Sequence, residues 1–130
     1  MPEAGDMITW RIGDDGFDMT LSGMVPFTLA HALPEWQAEM LGARDVTEID
    51  LWAVHPGGKT ILDSVEHGLS LPQGALAESR GVLREHGNMS SATVMFVLRA
   101  MMEVAQPGKR GCALAFGPGL SAEAMRFATV

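Results

Sequence analysis

The sequence is poor in cysteine, in basic charge and in long apolar runs, and each shortage removes a class of protein. One cysteine, Cys112, cannot form an intrachain disulfide and supplies no zinc framework. That suits a reducing compartment, and a cytoplasmic location is the expectation. Lys and Arg number 9 against 16 Asp and Glu, for a net charge of −7. A surface of that sign repels phosphate backbones and no basic run offsets it, so nucleic acid is not an expected partner. A local cationic spot for a phosphorylated cofactor stays open, because net charge says little about one cleft. No apolar stretch approaches the roughly 20 residues of a membrane-spanning helix. The acidic start, Met1-Pro2-Glu3-Ala4-Gly5-Asp6, does not read as a signal peptide. What is present is a hydrophobic fraction of 47% in 130 residues, core material for one domain.

Hydrophobic periodicity orders that material. Residues 7–12 and 17–22 alternate around Gly13-Asp14-Asp15-Gly16, which predicts a β-hairpin with Trp10 opposite Met19. Pro26 suits the first turn of a helix carrying Leu29, Leu33, Trp36 and Met40 at helical spacing. Pro34 inside that run predicts a kink or two shorter helices. Residues 49–54 read as a short buried strand that ends at His55. Ile61, Leu62, Val65 and Leu69 mark an amphipathic helix. A second helix covers 75–86 and stops at Gly87, a C-terminal cap. A third, over 91–105, stripes Val94, Val97, Leu98, Met101 and Ala105 along one side. A buried strand at 111–116, a tight Gly117-Pro118-Gly119 loop and a strand at 122–130 complete the chain. This order predicts an α/β layer structure, a mixed β-sheet covered by helices, with a sheet face that needs a partner.

Two polar residues sit in glycine-containing motifs. His55-Pro56-Gly57-Gly58 stands beyond the carboxyl end of a strand, where α/β sheets bind ligands. Its glycines let a substrate or another backbone approach closely. The amides opening the next helix favour an anion, and Lys59 and Thr60 in that turn can assist a phosphate. The same four residues also read as an ordinary strand-to-helix turn with a surface histidine. Asn88 follows Gly87 and precedes Ser90 and Ser91, either of which can cap the next helix. It also reads as a plain helix–helix connector. A histidine and an asparagine can aim two donors at one carbonyl oxygen, yet spacing alone does not bring these two together. Cys112, within Cys112-Ala113-Leu114-Ala115-Phe116, reads as a small buried residue rather than a reactive thiol. His31, His67 and His86 share no metal-ligand spacing with His55, so no metal site is assigned.

Taken in order, the motifs resemble one family. His55-Pro56-Gly57-Gly58 followed by Ile61-Leu62-Asp63, then Gly87-Asn88-Met89-Ser90-Ser91-Ala92, then Phe116-Gly117-Pro118-Gly119-Leu120 are similar to the C-terminal part of type III polyketide synthases. These are the chalcone and stilbene synthases. The resemblance runs over nearly the whole chain and implies that residues 1–130 are the C-terminal domain, a thiolase-like half. It implies decarboxylative Claisen chemistry on acyl-CoA and malonyl-CoA in a homodimer, with CoA thioesters as substrates and no other cofactor. By resemblance His55 and Asn88 are the catalytic pair, donating to the malonyl thioester carbonyl, and His55 helps to hold a cysteine as thiolate. That cysteine lies in an N-terminal part absent from this chain, and Cys112 does not match it, so the isolated chain is expected to be inactive.

Further matches concern binding. Ser90 corresponds to a pocket-lining position, and Phe116, Gly117 and Pro118 to the cavity scaffold, with Ala115 where a glycine is usual. Met19 stands where a gatekeeping phenylalanine is usual and Trp10 near a position that shapes the elongation cavity. These imply a cavity unlike that of plant chalcone synthase. Lys59 and Thr60 are the expected CoA contacts. Two other readings remain: a ketoacyl-synthase-type fatty-acid condensing enzyme, and a catalytically dead module that binds a partner synthase or a CoA thioester.

Overall fold

In the computed structural model, residues 5–42 and 44–130 are described. The alternating N-terminal segments pair as β1 (Ile8–Gly13) and β2 (Gly16–Leu21), antiparallel, with Trp10 opposite Met19 as predicted and Ile12 opposite Phe17. Gly13 and Gly16 still face each other in the ladder, so the turn is Asp14-Asp15 alone rather than all four residues. Because strand side chains alternate, Ile8, Trp10, Phe17 and Met19 share one face, and Thr9, Arg11, Asp18 and Thr20 the other.

Helix α1 (Val25–Leu41) has Pro26 in its first turn and closes at Gly42, in the left-handed region at φ 61°. It runs unbroken through Pro34, so the expected division into two helices does not occur. Pro34 lies on the exposed side of the helix. The Ala30 carbonyl that Pro34 leaves without its helical partner faces Gly68 of α2 (Lys59–Gly68). A Cβ at Gly68 would stand only 3.0 Å from that oxygen, which sets how closely α1 and α2 pack.

The central sheet is mixed, as expected. Its order is β3 (Leu51–Val54), β4 (Arg110–Gly117), β5 (Ser121–Ala128), with β3 parallel and β5 antiparallel to β4. Strand β3 starts later than predicted because a short 3-10 turn, Val46–Glu48, capped by Asp45, precedes it. Asp50 then turns back, accepting from the Arg110 N–H at 2.9 Å and Lys109 Nζ at 3.0 Å. Alternation sends Trp52, Val54, Cys112 and Leu114 to one face, against α1 and α2. Ala53 and Ala113 face the other way, against α3 (Ala77–His86) and α4 (Thr93–Val104). Helices therefore cover both faces of the sheet. An uncovered surface remains where α4 and β5 expose Met95, Met102 and Met125.

Two local expectations need correction. Neither Ser90 nor Ser91 caps α4; both lie in a 3-10 turn, Ser90–Ala92, and the flanking Ala92 offers no side-chain cap. The link between β4 and β5 is likewise a 3-10 turn, Pro118–Leu120, whose Gly119 adopts φ 71° and whose Leu120 is buried.

Candidate active site

Strand β3 delivers His55 to the edge of the core. The His55 N–H still donates to the Leu114 carbonyl of β4 at 2.7 Å, so the ladder continues one residue past the strand. The chain then turns sharply: the Gly57 N–H donates to the His55 carbonyl at 2.9 Å, and α2 begins two residues later. Asn88 arrives from elsewhere. Gly87 stops α3 at φ 71°, a conformation that favours glycine, and places Asn88 on the link to α4.

One hydrogen bond joins the two motifs. Asn88 Nδ2 donates to the Gly57 carbonyl at 3.1 Å, across a sequence separation of 31 residues. Its Oδ1 accepts the Ser90 N–H at 2.9 Å, so both ends of the amide are engaged. A cavity of about 750 Å³ opens beside them, lined by His55, Asn88 and Ser90 on its polar side. The hairpin contributes an apolar wall of Ile8, Trp10, Phe17 and Met19, and the end of β4 contributes Ala115, Phe116, Gly117 and Pro118. The Trp10 and Phe17 rings lie 5.6 Å apart and tilted by 50°, an attractive aromatic geometry. Trp10 and Met19 are 50% and 55% exposed, so the hairpin wall is open to further contact.

Eight of the ten residues expected at catalytic and binding positions converge: His55, Asn88, Trp10, Met19, Ser90, Phe116, Gly117 and Pro118 all line this cavity. Lys59 and Thr60 do not line it; they stand exposed in the first turn of α2. Sequence reasoning missed Phe17, Ile8, Ser91 and Ala115 as lining residues. The signal for Phe17 was present, because hairpin alternation puts it on the face of Trp10 and Met19. Val94, on the apolar stripe of α4, also lines the cavity.

Burial shapes the chemistry of both thiol and imidazole. Desolvation lowers the His55 pKa below its usual value, favouring a neutral ring that offers one N–H donor and one acceptor. Asn88 Nδ2 carries two protons, and one remains after the Gly57 bond is made. Cys112 is completely buried in the sheet and does not line the cavity. Its thiol is pushed up to about 11, so it holds almost no nucleophilic thiolate near neutral pH. Among the described residues no group of three His, Cys, Asp or Glu is placed to hold a metal, and no helix is long and apolar enough to cross a membrane.

Comparison with known proteins places this geometry. The family model described as chalcone and stilbene synthases, C-terminal domain, matches residues 1–130. An alpha-pyrone synthesis polyketide synthase-like protein of Mycobacterium tuberculosis is 35% identical over 127 residues, covering 94% of this chain and 32% of that protein. A bisdemethoxycurcumin synthase of Oryza sativa subsp. japonica is 35% identical over 142 residues, covering 96% of this chain and 34% of its own length. The crystal structure of 1,3,6,8-tetrahydroxynaphthalene synthase from Streptomyces coelicolor A3(2), a bacterial type III polyketide synthase, superposes with a TM-score of 0.88 at 32% identity. It covers 99% of this chain and 38% of that one. The chain spans about a third of the length of the curated relatives it matches. Its helices on both faces of a mixed sheet are those of the thiolase-like type III polyketide synthases. The chain belongs to the chalcone and stilbene synthase family, whose C-terminal domain it matches from end to end.

Proposed function

We propose that this domain supplies the carbonyl-stabilising side of the condensing site in a type III polyketide synthase. The enzyme acts on acyl-CoA starters and malonyl-CoA, and its nucleophilic cysteine comes from a part of the protein outside residues 1–130. The observation that carries this reading is the Asn88–Gly57 hydrogen bond, which ties the asparagine motif to the histidine motif at the rim of one apolar-walled cavity.

Chemically, the bond from the malonyl α-carbon to its carboxylate breaks, carbon dioxide leaves, and the electron pair moves onto the thioester oxygen. Negative charge grows on that oxygen, and the His55 ring N–H and the remaining Asn88 Nδ2–H donate to it. A neutral His55 suits this role, since it donates without being consumed as an acid. The enolate carbon then attacks the acyl carbonyl held on the cysteine. A carbon–carbon bond forms, the carbon–sulfur bond breaks, and the thiolate departs from a chain two carbons longer. A thiolate close to His55 also favours the imidazolium, opposing the effect of burial, and the imidazolium in turn lowers the thiol pKa.

The remaining residues bind. Trp10, Met19 and Phe116 shape the space into which the chain grows, and Ser90, Gly117 and Pro118 complete its walls. Lys59 and Thr60, at the solvent-facing start of α2, meet the phosphates of CoA beside helix amides that favour an anion. The complete enzyme works as a homodimer.

The test is turnover by the complete enzyme. His55→Ala and Asn88→Ala are each expected to lower kcat for condensation by about 10² or more, the usual cost of one such donor. Residues 1–130 alone are expected to form no polyketide. Wild-type rates in both alanine variants would overturn the donor assignment, and polyketide from residues 1–130 alone would overturn the divided site.

A further inference from the structure

Thr93 is the first residue of α4 and is completely buried, although its side chain is polar. Its hydroxyl is occupied on both sides. Oγ1 accepts the Met89 N–H at 2.8 Å and lies 2.7 Å from the Ser90 carbonyl and 3.5 Å from Asn88 Oδ1. A hydroxyl has one proton to give, and the shorter contact takes it, so Thr93 donates to the Ser90 carbonyl. Asn88 Oδ1 is served instead by the Ser90 N–H at 2.9 Å.

Ser90 is the hinge of this arrangement. It adopts φ 60°, a left-handed conformation unusual for a residue with a side chain. That conformation accompanies the placing of its carbonyl on Thr93 and its N–H on Asn88. With Oδ1 held by Ser90, the amide plane is set and Nδ2 falls on the side of Gly57, where it donates. The opposite flip would set Oδ1 against the Gly57 carbonyl and Nδ2 against the Ser90 N–H, two repulsive pairs in place of two attractive ones.

We infer that Thr93 is a positioning residue for Asn88: its buried hydroxyl pins the Ser90 turn, and through it fixes which edge of the Asn88 amide faces the cavity. The inference rests on the reading of Asn88 as a carbonyl donor. Thr93 itself touches no substrate in this scheme; it reaches the reaction through Ser90 and Asn88. Valine keeps the shape of threonine but removes both side-chain hydrogen bonds: the Met89 N–H loses its acceptor, and the Ser90 carbonyl keeps only the Thr93 backbone N–H.

The experiment reads the Asn88 side-chain amide protons by NMR in the 15N-labelled full chain without substrate. In the wild type the Nδ2 proton bound to Gly57 is expected to lie downfield of a free side-chain amide and to exchange slowly with solvent. Thr93→Val and Thr93→Ala are expected to lose that downfield shift and protection, and Thr93→Ser, which retains the hydroxyl, to keep them. Val97→Ala, a packing loss in the same buried helix face, is expected to lower stability and leave the Asn88 signals in place. Should Thr93→Val not fold, the Ser and Ala variants alone decide. A downfield, exchange-protected Asn88 proton in Thr93→Ala, or its loss in Thr93→Ser, would overturn the inference. Because no substrate is present, that result would leave the donor reading standing. The donor reading fails separately if Asn88→Ala preserves condensation in the complete enzyme.

Discussion

Gly111 offers the sharpest test of how the sheet carries the site. It lies on β4 directly opposite Phe127 of β5, and the Phe127 ring covers it. A Cβ at position 111 would stand 2.1, 2.3 and 2.6 Å from three ring atoms. Comfortable carbon–carbon contact needs about 3.5 Å, so the ring must retreat by on the order of 1.5 Å or swing away. Swinging away strips Phe127 from the cluster formed by Ala53, Val82, Val97, Met101 and Ala113. Losing a fully buried phenylalanine costs about 3–5 kcal/mol; Phe127 is partly buried, so about 2–3 kcal/mol is at stake. Alanine returns about 0.4–1 kcal/mol by restricting the unfolded chain. Gly111→Ala should therefore cost about 1–2 kcal/mol, within the usual range for overpacking. Urea unfolding of four proteins (wild type, Gly111→Ala, Phe127→Ala and the double variant) measures the coupling. In the Phe127→Ala background the glycine substitution should be neutral or mildly stabilising. An equal cost in both backgrounds would refute the contact as the cause. The pair matters for function because the β4–β5 register that it occupies also sends Ala115, Phe116 and Gly117 to the cavity.

Three further outcomes are expected. Gly68→Ala should destabilise by about 1–3 kcal/mol, since its Cβ would meet the Ala30 backbone and the Leu33 side chain within 3.2 Å; a neutral substitution in urea unfolding would show that α1 and α2 can separate freely. Cys112 should resist alkylation in the folded chain and react once urea unfolds it, a thiol at about 11 and fully buried being inert; native-state labelling faster than global unfolding would contradict this. His55 has a folded pKa below its unfolded 6.5, so the unfolded chain binds its proton more tightly and this contribution to stability is full above 6.5 and lost as pH falls toward the folded value. Comparing urea midpoints of wild type and His55→Asn from about pH 5 to 8 isolates that contribution; identical pH dependence in the two would count against a desolvated imidazole.

How much of this was legible in the residues divides along sequence distance. The hairpin register, Pro26 opening α1 and Gly87 closing α3 depend on near neighbours, and all were readable. The helix caps were less so: Ser90 and Ser91 looked like caps, but Thr93 took the Met89 N–H because burial gave its hydroxyl no competing water. Pro34 predicted a kink or two shorter helices, and α1 instead runs on as one helix through it, with the freed Ala30 carbonyl facing Gly68 of α2. Lys59 and Thr60 directly follow the histidine motif and stand exposed at the start of α2, outside the cavity lining.

By itself, then, the sequence determined the local chemistry: which stretches alternate or repeat at helical spacing, where glycine permits a turn, and that one histidine and one asparagine sit in such turns. Those properties follow from φ/ψ preference and side-chain period, which act over a few residues. Only the tertiary structure decided that Asn88 donates to Gly57 across 31 residues, and that the hairpin face of Trp10 and Phe17 meets His55 and the end of β4 around one cavity. Contacts of that kind form because buried apolar surface brings distant segments together, and no local spacing encodes which partner each will meet.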